Sequence, residues 1–168
     1  VSEMPNMKYL QIFSHIITCL VEGEFMQMED VYRIDQGIER YMTKTQKKTA
    51  DFMEGCMELG GLLGGWSESE IVELKKYGHA LGMAFQITDD IMDYRETTET
   101  TGKPVGNDLR EGLLTYPLLS IVNDDNKDKL LADIKALNNG GDEQAIIDYV
   151  ISQGGIDNTL AVADQYCK

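Results

Sequence analysis

The chain has 168 residues and a formal net charge of −14, long enough for one domain with a real core and charged so as to repel a nucleic-acid backbone. Its 42% apolar content suits a packed protein, but no apolar run approaches the roughly 20 residues of a membrane span and no signal sequence opens the chain. Cys19, Cys56 and Cys167 form no close pair and no metal-type spacing, so they read as reduced thiols of a cytoplasmic protein.

From Met7 to Val21 the residues Leu10, Ile12, Phe13, Ile16, Ile17 and Leu20 recur at helical spacing, and Gly23 is expected to interrupt that helix. A second helix is predicted from Phe25 to about Leu63, with a break near Gly37 and a stripe of Val31, Ile34, Ile38, Tyr41 and Met42. The glycines at 60, 61, 64 and 65 suggest close packing followed by a helix end. Ser67 and Glu70 have the spacing of a capping box. Behind it Ile71, Leu74, Gly78, Leu81, Phe85, Thr88 and Met92 step by three and four, predicting one helix from Glu68 to about Tyr94, about 40 Å long. Residues 95–112 lack a period and hold Gly102, Pro104, Gly106 and Gly112, the composition of a long loop. Shorter helices are predicted at Tyr116–Val122, Lys127–Leu137, Glu143–Ser152 with Asp142 as cap, and Asn158–Tyr166. No strand pattern competes, so the fold class is all-α, an antiparallel helix bundle forming a single domain over residues 1–168.

Within the stretch FQITDDIMD, Gln86, Asp89, Asp90 and Asp93 share an arc of about 100° on the long helix. Like charges so close raise one another's pKa unless a cation neutralises them. An oxygen-only donor set favours a hard ion, Mg²⁺ before Zn²⁺. A solvated acidic face is the plain alternative for this motif alone. On the preceding helix Tyr41, Thr45, Lys48, Thr49 and Phe52 share a face, where Lys48 can hold a phosphate oxygen. Gly102-Lys103-Pro104 leaves the acidic helix and can bring Lys103 over the same site.

Together these segments resemble the C-terminal part of a trans-isoprenyl diphosphate synthase, of the polyprenyl synthetase family. YMTKTQKKTADFMEGCMELG is similar to its Y-x3-I-x2-K-T-A segment, FQITDDIMD to its second aspartate-rich motif, and TGKPVGNDLREGLLTYP to its G-K-P-x-G-x-D-L loop; VEGEFMQ resembles the G-E-x2-Q segment upstream. The resemblance implies an isoprenoid-synthase bundle, present in part, that condenses an allylic prenyl diphosphate with isopentenyl diphosphate by Mg²⁺-assisted ionisation. Asp89, Asp90 and Asp93 would then be metal ligands, Lys48 and Lys103 diphosphate ligands, and Thr49 and Gln86 would face the reacting carbons, Lys48, Thr49 and Gln86 making up the catalytic group. It further implies a homodimer, or a heterodimer with a second synthase subunit. Departures are Thr45 at the usual Ile, Leu113 at a usual polar position, and Tyr116 before Pro117. The family's first aspartate-rich motif has no counterpart, so the chain is expected to be about half of a synthase, lacking that motif and the C-terminal end, and inactive alone. A catalytically silent partner subunit and a class I terpene cyclase or squalene-type synthase are the alternatives.

Overall fold

The computed structural model describes residues 7–95 and 106–168. Among the described residues every regular element is helical. Helix α1 spans Met7–Glu29, α2 Gly37–Thr45, α3 Asp51–Leu63 and α4 Glu68–Arg95. Four short helices come next, α5 Asn107–Glu111, α6 Tyr116–Leu119, α7 Lys127–Ala136 and α8 Glu143–Ser152. The last, α9, covers Gly155–Ala163 and runs into a 3₁₀ turn at Asp164–Cys167.

Gly23 does not end α1. The helix buries Ile12, Ile16, Cys19 and Gly23 in steps of three and four, and a Cβ at Gly23 would sit 2.9 Å from the Lys48 amide nitrogen. The glycine therefore permits a close helix contact, and that packing offsets its low helix propensity. The chain then turns at Asp30, which is 1% exposed and held by Arg40 Nε at 2.6 Å. The break expected near Gly37 is present, with Gly37 at φ +76° opening α2.

Between α2 and α3, residues Gln46–Ala50 form a π turn. Such a turn inserts one residue into the helical count and shifts the phase of α3 relative to α2. Tyr41 and Thr45 are buried and Lys48 and Thr49 half-buried, but Phe52 is 44% exposed, off the predicted face.

The capping box is formed: Glu70 Oε2 accepts from the Ser67 N–H at 2.8 Å, and Ser67 Oγ lies 3.4 Å from the Glu70 amide nitrogen. Helix α4 runs antiparallel to α3, and Cβ atoms at Gly61, Gly78 and Gly82 would fall within 3 Å of Ile71, Met57 and Ala50 respectively. Its buried positions are Ile71, Gly78, Gly82, Met83, Ile87, Asp90, Ile91 and Tyr94. Leu81, Phe85, Thr88 and Met92 of the predicted stripe are exposed, because α3 and the C-terminal helices cover the opposite side. The C-terminal half of α4 forms one core with Leu109, Leu114, Leu118, Ile134, Ile147, Val150 and Ile156.

The expected loop holds a helix. Gly106 and Gly112, at φ +75° and +74°, bracket α5, conformations that favour glycine; Gly102, Lys103 and Pro104 lie outside the described residues. Helix α6 is shorter than predicted, α8 has the predicted bounds with Asp142 Oδ1 accepting from the Ala145 N–H at 3.0 Å, and α9 begins three residues early.

Candidate active site

A cleft of about 190 Å³ opens between α2, the π turn, α4 and α5. Gln27, Tyr41, Lys44, Thr45, Lys48, Thr49, Gln86, Asp89, Asp90, Asp108, Leu113, Leu114 and Thr115 line it. Of the residues singled out in the sequence, Lys48, Thr49, Gln86, Asp89 and Asp90 meet here, and Lys103 lies outside the described residues.

The three acidic residues of the DDxxD motif have three different settings. Asp89 is exposed at the cleft wall. Asp90 is 4% exposed and accepts hydrogen bonds from Tyr41 Oη at 2.5 Å and Gln86 Nε2 at 3.1 Å. Burial pushes its pKa up to about 6, opposed by those two hydrogen bonds and aided by Asp89. Asp93 points the other way: its carboxylate accepts from the Asn107 and Asp108 amides at 2.9 and 3.1 Å. It thus caps α5, where a negative charge also complements the helix dipole. Burial is the main cause of its raised pKa.

That cap delivers Asp108 to the cleft. Burial, with Asp93 and Asp90 nearby, raises Asp108 to about 7. Asp89, Asp90 and Asp108 are thus three carboxyl groups facing one small space, two of them holding protons far above the ordinary range. Burial is the main cause for both, with the neighbouring carboxylates adding to it. An all-oxygen wall of this kind fits Mg²⁺, which takes one or two carboxylates and completes its shell with water and phosphate oxygens. Across the cleft stand the cations. Lys48 Nζ lies 2.8 Å from Glu24 and 2.9 Å from Gln27 Oε1, while Lys47 points away to Glu22 at 2.5 Å. Lys44 is buried, donating to Gln36 Oε1 at 3.3 Å, and desolvation lowers its pKa. Thr49 Oγ1 donates to Gln86 Oε1 at 3.0 Å, so Thr49, Gln86, Asp90 and Tyr41 form one hydrogen-bonded chain across the floor.

Residues 1–153 match the family described as Polyprenyl synthetase. The chain belongs to that family. Heptaprenyl diphosphate synthase component 2 of Geobacillus stearothermophilus is 33% identical over 165 residues, 98% of this chain and 52% of the relative. Octaprenyl diphosphate synthase of Escherichia coli is 38% identical over 118 residues, 70% of this chain and 36% of the relative. Among solved structures, a polyprenyl synthase from Caulobacter crescentus complexed with calcium and isoprenyl diphosphate superposes with TM-score 0.84 at 30% identity, covering 96% of this chain and 50% of that one. A heptaprenyl diphosphate synthase from Staphylococcus aureus gives 0.85 at 28%, with coverage of 97% and 52%. The chain therefore spans about half the length of these relatives, except for the shorter match to the octaprenyl enzyme.

Within this polyprenyl synthetase chain, two charged cleft residues escape the sequence reading. Asp108 belongs to the GNDL segment but reads there as part of the loop beyond the metal, since nothing in the sequence shows that Asp93 caps it into place. Lys44 is hidden in the run Lys44, Lys47, Lys48, which reads as a solvated face.

Proposed function

We propose that this cleft is the allylic half of a prenyltransferase site, which ionises an allylic prenyl diphosphate for attack by isopentenyl diphosphate. The observation that carries the reading is the meeting of Lys48 with Asp89, Asp90 and Asp108 across one cleft. Lys48 binds a diphosphate oxygen and gains strength as charge collects on the leaving group. Asp89 and Asp90, with Asp108 beside them, hold Mg²⁺; Asp93 serves the same site by holding α5. Bound Mg²⁺ neutralises diphosphate charge during C–O cleavage. Tyr41 and Gln86 fix the Asp90 carboxylate, and Thr49 with Gln86 presents a polar wall to the reacting carbons. Lys103 is assigned to the same diphosphate on its motif alone.

The whole activity needs more chain than this. Relatives are about twice as long, and α1 leaves Leu10, Phe13, Ile17, Val21, Phe25 and Met28 exposed along one stripe. We read the chain as one helical domain making up about half of a synthase, inactive alone, that assembles as a homodimer or with a second subunit. The name of the Geobacillus relative, a component 2, favours the heteromeric form. The free cysteines fit a cytoplasmic setting.

The test is incorporation of isopentenyl diphosphate onto an allylic primer by the intact enzyme across a Mg²⁺ titration. Asp89→Ala should require more Mg²⁺ and reach a lower rate. Equal rates for the variant and wild type at every concentration would refute the metal assignment.

A further inference from the structure

Outside the cleft lining, about two turns before Gln86 along α4, Asp51, Glu54 and His79 bring three ligand atoms within 4.8 Å of one another. We propose that these residues form a second metal site, for a borderline transition ion of the zinc class, which pins α3 to α4.

The donors come from two helices whose spacing is fixed by packing. A Cβ at Gly78 would lie 2.9 Å from the Met53 carbonyl and 3.0 Å from Glu54 Cα, so the backbones touch and the next residue, His79, is placed beside Glu54. His79 Nδ1 stands 3.5 Å from Glu54 Oε2. Two donors each about 2.1 Å from one tetrahedral ion lie about 3.4 Å apart, so this pair is already at the separation a shared ion needs. Asp51 is one turn before Glu54 on the same face, with Gln46 Nε2 3.4 Å from its Oδ1 and the Cys19 thiol beside its carboxylate.

Charge points the same way. Lys75 Nζ is 2.7 Å from Glu58 and 3.5 Å from Glu54 Oε1, so one ammonium serves two glutamates while Glu54 Oε2 faces the imidazole. Three carboxylates against one lysine leave two negative charges, which a divalent ion balances. The groups are half-buried, with side-chain exposures near 30% for Glu54 and His79, so an ion would be partly desolvated. Lys75 and Glu58 would hold Glu54 from behind, the supporting role that sets ligand orientation. His15, the other histidine of the chain, opens onto the adjoining cleft of about 220 Å³ with Asp51 and Glu54, giving a further nitrogen donor within the same region. Imidazole with carboxylates selects Zn²⁺ over Mg²⁺, so this site and the oxygen-walled cleft differ in the ion they take.

Zinc chloride is titrated calorimetrically into the full chain carrying Cys56→Ser and Cys167→Ser, which removes the exposed thiols, in a buffer with millimolar Mg²⁺. One equivalent of Zn²⁺ should bind and raise Tm. His79→Ala and Asp51→Asn should each weaken binding tenfold or more and abolish the rise in Tm, while Asp89→Asn should leave both unchanged. Far-UV circular dichroism establishes that each variant is folded, and His79→Gln serves if His79→Ala is not. No binding, unchanged affinity in the His79 variant, or loss of the equivalent in Asp89→Asn overturns the site.

Discussion

Along α4, the buried contacts of residues 71–82 with α3 are glycines and alkyl groups, with Lys75 and His79 reaching Glu54 and Glu58 at the half-buried margin, whereas residues 83–94 meet α2, α5 and the C-terminal helices through alkyl packing interleaved with Asp90, Gln86 and Asp93. The first half is positioned by how close two backbones can come. The second is positioned by hydrogen bonds and by charges that burial makes costly. One helix therefore holds a stiff segment and an electrostatically poised one in line, and the chemistry sits on the poised end. Cavity size does not show this: a larger space of about 680 Å³ lies between α7 and α8, but the carboxylates with strongly raised pKa surround the smaller cleft.

The largest expected effect falls on the poised half. In the intact enzyme Lys48→Ala should lower kcat/KM for the allylic substrate by roughly 2 to 4 kcal/mol, the scale of one lost electrostatic contact that strengthens in the transition state. Lys47→Ala should stay within about 0.5 kcal/mol as a surface change, since Lys47 faces Glu22 outside the cleft. Equal losses in steady-state assays would mean that the side of the helix facing substrate is not the one seen here.

Tyr41→Phe tests the same half through pH. Asp90 has a folded pKa of about 6 against an ordinary value of 3.8, so the native state binds its proton more tightly than the unfolded chain. Its contribution to stability therefore grows as pH falls from above 6 toward 4 and is lost as pH rises through 6. The Tyr41 hydroxyl eases that loss by donating to the ionised carboxylate. Removing it should cost roughly 1.5 to 3 kcal/mol at pH 8, as for a hydrogen bond to a charged group, and roughly 0.5 to 1.5 kcal/mol at pH 5. Urea denaturation at the two pH values measures both; a cost independent of pH would show that the hydroxyl does not serve the charged form.

These two halves are unequally legible in the sequence. Capping signals and apolar periodicity give α4 within a residue of its observed end, and the helical phase places Gln86, Asp89 and Asp90 together, because those signals are local. The π turn at Gln46–Ala50 has no local signature, so a regular helical count puts Phe52 on the wrong face while Lys48 and Thr49, within the turn, still reach the cleft. Asp93 cannot be told from its neighbours by charge or spacing; its role as a cap depends on where residues 107 and 108 return in space. The exposed Leu81, Phe85 and Met92 mislead for a related reason: periodicity shows that a face is apolar, not which of two apolar faces this chain covers.

The glycine contacts of the stiff half should respond to volume. A Cβ at Gly82 would meet Ala50 Cα at 2.6 Å and its amide nitrogen at 3.1 Å, backbone atoms that cannot swing aside, so Gly82→Ala should cost roughly 1 to 3 kcal/mol by overpacking. Gly60→Ala, whose Cβ meets nothing within 4 Å, should gain up to about 1 kcal/mol from helix propensity. Urea denaturation of both variants separates close packing from simple glycine flexibility, and similar signs would remove the distinction.

The smallest effect lies at the start of the same helix and sharpens the contrast by leaving the chemistry alone. Ser67 is the N-cap of α4, bonded through its Oγ to Glu70 Oε2 at 2.6 Å and facing the Glu70 amide. Glu70 is held below its ordinary pKa chiefly by the Ser67 hydroxyl and then by the Ser67 amide. Ser67→Ala removes the hydroxyl and should cost about 1 kcal/mol of stability, the usual value of a cap. Because Glu70 keeps the backbone amide as a donor, the helix should fray over its first turn and no further. Mg²⁺ dependence in the intact enzyme should match wild type, since the site lies about five turns along, beyond the glycine-packed segment that anchors the helix. A shift in Mg²⁺ dependence with Ser67→Ala would show that the two halves of α4 are coupled through its first turn and that the stiff segment does not isolate the site.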